Sequence, residues 1–518
     1  MLRPFAVAVL LAVPLGGLRA QAEHEHAGPP PERLGHVAFP SECRAEVQAR
    51  LERAVALLHS FWYEEAGRGF REVAAADSGC ALAYWGQAMS VLHPLWSPPR
   101  SADRAEALAQ AERAVGLSRP GTRSRDYADA IAAYYRGGDT LSDRTRLLAY
   151  ERAMAGVARR RPADEEARIF HALALIALGQ LDASDRTYAR QREAGRILEP
   201  LFRRRPHHPG LAHYLIHAYD SPALAREGEA AADRYASIAP SVPHAQHMPS
   251  HIYTRIGAWE KSIAANLRSA AAAERFEEAQ HTTALWDQHA HALDYLVYAY
   301  LQTGRVADAR AVAGLVANVT QVFPDGALTT DYALAAIPAR LALEQDDWTA
   351  AETLSVRPSP GWRGAEAITH FARALGAVHA GHPATARAEV DSLAELEQTL
   401  AAAGGPQAYW SAQVRIQRLG ASAWVALVAG DTAGALREGA RAADLDDTVE
   451  KHPVTPGAVL PARELYGDLL ARAGRPAEAR AAYTAALRRQ PGRARSLAAL
   501  ERLAGDVGVR SHGAAVRH

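Results

Sequence analysis

The feature of this 518-residue sequence that most constrains its fold is a short frame that recurs along its second half. In each copy an apolar helical stretch reaches a glycine or an aspartate, and an alanine follows five residues later. Glycine or aspartate lets a first helix end, and the small alanine lets a second helix pack closely against it. The copies, given as turn residue and alanine, are Gly304 and Ala309, Asp346 and Ala351, Gly381 and Ala386, Gly430 and Ala435, and Gly474 and Ala479.

The last copy, ARAGRPAEARAAYTAALRRQP, continues with Tyr483, Ala486 and Pro491, which are the small and aromatic positions of a tetratricopeptide repeat (TPR). Successive turn residues lie 35 to 49 positions apart, longer than the standard repeat of about 34. Alternating β-branched runs bounded by hairpin turns are nearly absent. The sequence therefore predicts an all-α fold, a right-handed superhelical, TPR-like solenoid of antiparallel helix pairs.

The first 22 residues differ from this pattern. They have a positive start, an apolar run over 5–15, and the small-x-small cleavage pattern Ala20-Gln21-Ala22. The sequence thus predicts an exported protein, periplasmic or secreted after cleavage. The expected regions are a signal peptide over 1–22, a flexible leader over 23–35, a TPR-like helical region with a histidine-rich centre over 36–290, TPR repeats over 291–505 and a frayed tail over 506–518.

Composition excludes several classes of function. Lys plus Arg and Asp plus Glu are equal at 58 each, so the chain has no basic surplus with which to bind nucleic acid. Its 48% hydrophobic and 22% charged residues are typical of a globular protein with a large core. No segment offers about 20 consecutive apolar residues, so we expect no transmembrane helix. The oligomeric state stays open.

Cys43 and Cys80 are the only cysteines. In an exported protein the pair favours a disulfide, which stabilises a fold by roughly 3 to 4 kcal/mol in the chain-entropy description. Two separate buried thiols are the alternative, and a role in metal binding is a more distant one.

Seven of the 22 histidines lie between residues 207 and 251, and they fall in two motifs. In HHPGLAHYLIHAYD, Pro209 suits the first turn of a helix and leaves His208 near its cap. His213, His217 and Asp220 then occur at i, i+4 and i+7, on one face of that helix.

The second motif, HAQHMPSHIYTRIG, places His244, His247 and His251 at i, i+3 and i+7. Pro249 either kinks this helix or starts it. The residues between the two motifs suit one returning helix, so stacking of successive helix pairs brings the histidine helices side by side.

Neutral imidazole is the commonest protein ligand of Zn²⁺, Cu²⁺ and Fe²⁺, and three histidines with an open position are a frequent catalytic arrangement. Asp220 is expected to be a ligand, a residue that orients a ligand, or a general base. Packing in the core or hydrogen bonding to a bound peptide is the alternative. A supporting role is conceivable for His289 and His291, one repeat further on. The predicted ligands of the transition metal ion are His208, His213, His217, His244, His247 and His251.

Together, HPGLAHYLIHAYD and PHAQHMPSHIYTRIG resemble a signature found in a group of exported bacterial TPR proteins. The upstream blocks LLHSFWYEEA, CALAYWGQAM and HPLW are similar too, so the likeness covers roughly residues 36 to 300. The resemblance implies export, a repeat solenoid and an important role for the histidines and Asp220. It implies no particular activity.

Two functions from different classes follow. The first is a metal centre that activates water for hydrolysis or binds dioxygen for oxidation of an unidentified substrate. The second is a non-catalytic TPR scaffold that binds a peptide or protein partner in its concave groove, as repeat solenoids often do. The concentration of unusual residues within two helix pairs favours the first function, and metal storage or delivery is a third possibility.

Overall fold

The structure is a computed structural model that describes residues 32–95, 98–182 and 185–515, and from Arg33 onward the chain forms one compact unit. The predicted signal peptide and residues 23–31 of the predicted leader lie outside the described residues. Helices α1 to α12 are Gln48–His59, Tyr63–Ala76, Ala81–Val91, Ser101–Leu117, Arg123–Tyr135, Asp143–Arg160, Glu165–Gln180, Ala189–Arg204, Pro209–Tyr219, Glu229–Ile238, Pro243–His247 and Pro249–Ile256.

The second half continues the same architecture. Short 3-10 helices cover Ala45–Val47, Gly138–Thr140 and Ala225–Gly228, and the two-residue strands β1 (Leu285–Trp286) and β2 (Val322–Phe323) pair in parallel. Helices α13 to α24 are Trp259–Ala279, Asp287–Gln302, Val306–Ala317, Leu328–Glu344, Trp348–Glu352, Arg363–Ala380, Pro383–Ala403, Gln407–Val428, Thr432–Thr448, Ala462–Arg472, Pro476–Arg489 and Ala494–Ala515.

Each helix packs mainly on its neighbours in the sequence, and the first helices of successive pairs also pack on one another. Examples are α14 on α16, α16 on α18, and α18 on α20. This stacking of pairs is the arrangement by which a repeat array buries one continuous core. The predicted all-α, TPR-like solenoid of antiparallel helix pairs is confirmed.

The recurring frame has the expected geometry. Gly381 and Gly474 end their helices with φ of +86° and +73°, in the left-handed region that glycine adopts without strain. Asp346 occupies the same kind of turn with φ of +53°. Tight helix packing explains the small residue that follows each turn, because all five frame alanines are 0% exposed: Ala309, Ala351, Ala386, Ala435 and Ala479.

A similar close approach occurs in the amino-terminal half, where α3 crosses α2 at Gly86. A Cβ atom added to Gly86 would lie 2.2 Å from a ring carbon of Phe70, which is itself fully buried. Any larger residue would therefore push these helices apart.

The start of the described chain is more ordered than the sequence predicts. Leu34 is buried, the backbone N–H of Arg33 donates to Ser241 Oγ at 2.8 Å, and that of His36 donates to the His207 carbonyl at 2.9 Å. Leu34, expected at the end of a flexible leader, therefore belongs to the core, and backbone hydrogen bonds hold the residues around it. Shortly after them, a disulfide joins Cys43 to Cys80, the residue before α3, so both sulfur atoms are engaged.

Two of the expected region boundaries fall within helices. The predicted boundary at residue 290 falls inside α14 (Asp287–Gln302), so the helical array continues through it. The last helix spans Ala494–Ala515, so the backbone is helical over most of the segment expected to be a frayed tail.

Candidate metal centre

Four helices position the histidines at the middle of the array. Helix α9 carries His213 and His217 one turn apart, and it begins at Pro209, whose fixed φ suits a first helical position. Helices α11 and α12 are separated only by Met248, whose φ of −52° and ψ of −36° are helical. The second motif therefore keeps one face across Pro249, and α14 packs beside it.

The first group of imidazoles, which we call cluster A, consists of His213, His217 and His244. The Nε2 atom of His213 lies 3.1 Å from that of His217 and 3.2 Å from that of His244. All three side chains are buried, with exposed fractions of 5% or less.

The opposite ring nitrogens fix which atom of cluster A carries the hydrogen. His213 Nδ1 donates to the backbone carbonyl of His59 at 2.7 Å, and His244 Nδ1 lies 3.2 Å from Gln288 Oε1. A carbonyl oxygen only accepts, so each of these Nδ1 atoms carries the hydrogen and each neutral ring presents a bare Nε2 lone pair.

The second group, cluster B, consists of His247, His251 and His291, all buried. The Nε2 atoms of His247 and His251 lie 3.0 Å apart, and the ring of His291 packs on that of His247 with centroids 4.2 Å apart. The Nδ1 atom of His291 has no hydrogen-bond partner within the described residues. Cluster B thus contains one histidine from outside the two sequence motifs.

Hydrogen bonds orient cluster B in the same way. His247 Nδ1 donates to Asn266 Oδ1 at 2.6 Å, and the Asn266 amide is fixed because its Nδ2 donates to the Ser262 carbonyl. His251 Nδ1 donates to Asp220 Oδ2 at 2.9 Å. The Nε2 atoms of both rings therefore also point lone pairs at each other.

Facing lone pairs, at 3.2 Å between His213 and His244 and at 3.0 Å between His247 and His251, repel one another unless a cation or a shared proton lies between them. A shared proton requires an imidazolium, and burial opposes it. Burial is the largest cause that lowers the pKa of every histidine in both clusters below 6.5. Neighbouring imidazoles contribute at all of them except His251, where Lys451 and Arg255 contribute instead. At neutral pH the rings are consequently neutral, the state in which imidazole binds metal.

The spacing fits a metal ion. An ion bound to two imidazole nitrogens at about 2.0–2.1 Å with tetrahedral or trigonal angles separates those nitrogens by about 3.3–3.6 Å. The observed separations of 3.0 to 3.2 Å need an opening of only a few tenths of an ångström. Metal-binding histidines also usually donate their second N–H to a carbonyl or carboxylate, as these do.

Asp220 supports cluster B from behind. Its carboxylate accepts from His251 Nδ1, from Arg255 Nε at 2.8 Å and from Lys451 Nζ at 2.9 Å. Burial alone would raise the pKa of Asp220, but Lys451, Arg255 and the hydrogen bond from His251 hold it well below 3.8. Of the roles considered from the sequence, orientation of a ligand is the one that this geometry favours.

His208 is the predicted ligand that the structure does not bring to either cluster. Its Nε2 donates to Glu166 Oε1 at 2.8 Å, and His59 Nε2 lies 2.9 Å from the other oxygen of the same carboxylate. The reason is helical phase: His208 is the N-cap of α9, five residues before His213, and about 100° per residue turns it roughly 140° from that face. His59, Glu166 and His208 form a separate hydrogen-bonded group.

Sequence reasoning gave His289 and His291 the same supporting role, but the structure separates them. They are two residues apart on α14, so only one can face the centre, and His289 instead contacts Glu277 Oε2 at 3.0 Å. In the sequence, the spacing of the two histidines in DQHAHALDYL indicates that they lie on different faces of a helix. Choosing between its two histidines required the packing of α14 against α11, which the chain order does not give.

A large cavity of about 770 Å³ reaches the centre. His217 of cluster A, Asp220 and Lys451 form part of its wall. Aromatic rings from both halves of the chain, Tyr134, Tyr188, Trp362, Tyr409 and Trp410, line other parts. The volume lies within the range of small-molecule binding sites, so the cavity offers a route for a substrate to the histidines.

No helix in the described part of the chain is both long enough and apolar enough to span a bilayer. No family model and no curated protein matches the sequence. Solved helical proteins are similar at low identity, among them a human IFIT1 dimer with m7Gppp-AAAA (14% identity, TM-score 0.36, 87% of this chain and 91% of that one). Others are the APC/C hetero-tetramer Cut9–Hcn1 (13%, 0.34, 83% and 76%) and the TPR domain of P58(IPK) (13%, 0.21, 83% and 99%). Likeness at this level assigns no activity.

Proposed function

We propose that this chain is an exported metalloprotein whose two histidine clusters bind transition metal ions and act on a small organic substrate that enters through the cavity. The reaction is metal-dependent oxidation or hydrolysis. Asp220 holds His251 in the orientation and tautomer that a ligand needs. The sequence of residues 1–22 supports export.

The observation that carries this proposal is the convergence of bare Nε2 atoms. Four of the rings donate Nδ1–H to a fixed acceptor, and their Nε2 atoms all face other imidazoles at 3.0 to 3.2 Å. A packing role would pair a ring nitrogen with an acceptor or a donor rather than with a second lone pair.

Imidazole ligands suit zinc, copper and iron. Any of these ions would polarise a bound oxygen atom, and an ion in cluster A would lie beside the cavity wall that includes His217. The cavity supplies volume and aromatic surface for an organic substrate, while the buried helices exclude bulk water from the remaining sides.

The test is the metal content of the mature protein, purified after export and measured by plasma mass spectrometry. A His213→Asn/His247→Asn variant removes one ligand from each cluster, and His370→Gln is the matched control because the His370 ring hydrogen-bonds Glu389 in a distant helix pair. We expect metal in the wild type and the control and its loss in the double variant, with melting profiles showing that all three are folded. Wild-type protein that neither contains metal nor takes up Zn²⁺, Cu²⁺ or Fe²⁺ would refute the proposal.

A second candidate is the TPR scaffold that binds a peptide or protein partner without catalysis. The open, aromatic-lined cavity between helices of both halves favours it, because repeat solenoids commonly bind peptides on such surfaces. Screening a peptide library against the metal-free protein and the Trp410→Ala variant distinguishes the two. Tight binding that needs Trp410 and is indifferent to metal supports the scaffold.

A further inference from the structure

Clusters A and B are adjacent rather than independent. The rings of His217 and His251 have centroids 6.0 Å apart, and those of His244 and His247 are 6.1 Å apart. Ions in the two clusters would therefore be near neighbours. Both clusters are also equally buried.

The two clusters are built alike. Each has a pair of histidines one helical turn apart, His213 and His217 on α9 and His247 and His251 across the end of α11 and α12. Each pair is completed by one histidine from a different segment, which is His244 in cluster A and His291 in cluster B. The result is three imidazoles for each of two ions.

The charge balance around these imidazoles restricts the charge of the ion that the centre can bind. Neither cluster includes a carboxylate or a thiolate among its described members, so the ligands bring no negative charge. The charged network behind cluster B supplies no surplus of negative charge either, because Asp220 and Glu450 face Arg255 and Lys451. Glu450 is also paired with Arg186 and Arg489. The charge of each ion is therefore uncompensated.

The cost of burying a charge rises with its square, and so does the repulsion between two equal ions. A pair of divalent ions at this buried place would thus pay about four times the electrostatic penalty of a pair of monovalent ions. Among the metals that imidazole binds, copper is the one with a stable monovalent state, and divalent copper also heads the affinity order for nitrogen ligands.

We propose that clusters A and B together form one dinuclear copper centre, with three imidazoles for each ion, in which copper(I) is the preferred state. This inference rests on the proposed metal-binding function and specifies the ion and its number. A redox-active pair selects oxidation by dioxygen rather than hydrolysis as the reaction class. Two copper(I) ions would together supply two electrons to dioxygen, and a substrate that loses two electrons and two protons would restore them, with hydrogen peroxide as the other product.

The experiment is an anaerobic titration of metal-free, full-length mature protein with copper(I), in competition with a chromogenic copper(I) chelator, and a parallel titration with Zn²⁺. His291→Asn removes one ligand from cluster B, and His213→Asn removes one from cluster A. His289→Asn is the control, because its neighbouring position on α14 contacts Glu277 and not the centre.

We expect two copper(I) ions per chain in the wild type and in His289→Asn, and one tightly bound ion in each ligand variant, with copper(I) held at least tenfold more tightly than Zn²⁺. One ion per wild-type chain would overturn the dinuclear centre and leave metal binding intact. Two Zn²⁺ ions held more tightly than copper(I) would overturn the choice of copper. No binding of either ion would refute the proposed function itself.

Discussion

Replacing Asp220 by asparagine would remove the negative charge that three buried donors share. An asparagine side chain has one acceptor oxygen and one donor group, so at least one of His251, Arg255 and Lys451 would then face a donor. The side chains of Arg255 and Lys451 are only 8% exposed, so water replaces the lost carboxylate only in part.

Two separate effects follow. Breaking a buried ion pair from one side costs about 3–5 kcal/mol, so we expect the free energy of unfolding of the metal-free protein to fall by that amount. Loss of the carboxylate that orients a metal-binding histidine typically weakens metal binding 10- to 100-fold, or about 1.4–2.7 kcal/mol. The weakening should be confined to cluster B, with cluster A as the internal reference.

The assay combines urea denaturation of the metal-free protein with chelator competition for each bound ion. A Lys451→Met change in the same chain removes one of the two cations, so the double variant should recover at least half of the lost stability but none of the lost affinity. Asp220→Asn protein with wild-type stability and wild-type affinity at both clusters would refute the assigned role of the carboxylate. Full recovery of metal affinity in the double variant would show that charge, and not orientation of His251, was responsible.

Three other changes test the fold. Burial raises the pKa of Asp446 to about 6. The protonated carboxyl therefore favours folding at low pH, and this contribution is lost as the pH rises from about 4 to 6. Asp446→Asn should raise the melting temperature at pH 8 but not at pH 4. Gly86→Ala should lower the free energy of unfolding by about 1–3 kcal/mol in urea melts, because the added methyl group would clash with the Phe70 ring. Gly116→Ala should be neutral or stabilising, because a methyl group at that position meets open space. Replacing Cys43 and Cys80 by serine opens a loop with a separation of 37 residues and should lower the free energy of unfolding by about 4 kcal/mol.

Each of these has a contrary outcome. An Asp446→Asn effect independent of pH would mean that the pKa of this carboxyl is not raised in the folded protein. Equal stability of the two glycine variants would mean that the helices separate freely at the crossing. A serine variant as stable as the oxidised wild type, with the reduced wild type also unchanged, would show that the disulfide does not constrain the unfolded chain.

The fold and much of the centre could be predicted from the sequence because both depend on local periodicity. The turn and alanine frame fixes the helix pairs, and the i, i+4 spacing places His213 and His217 on one face. Helical phase also explains why Asp220, seven residues after His213, approaches the centre. Helical phase also predicts that His208, five residues before His213, points away from the face that carries His213 and His217.

The rest depends on packing between segments that are distant in the chain. His244 joins cluster A, whereas His247 and His251 of the same motif join cluster B, a division that helical spacing alone does not show. His291 reaches cluster B only because α14 stacks beside α11. The acceptor for His213 is a backbone carbonyl, that of His59, and main-chain groups leave no signature in the sequence.

The ligands come from α9, α11, α12 and α14, which belong to successive layers of the array. Repeat arrays are held together by contacts between neighbouring layers, so they can open one layer at a time from an end or a weak junction. Ions shared by these helices would link their opening into a single event, since no one layer could leave without breaking a metal–ligand bond. The middle of the chain would then be the last part to exchange its amide hydrogens, although α11 and α12 there have only 5 and 8 residues.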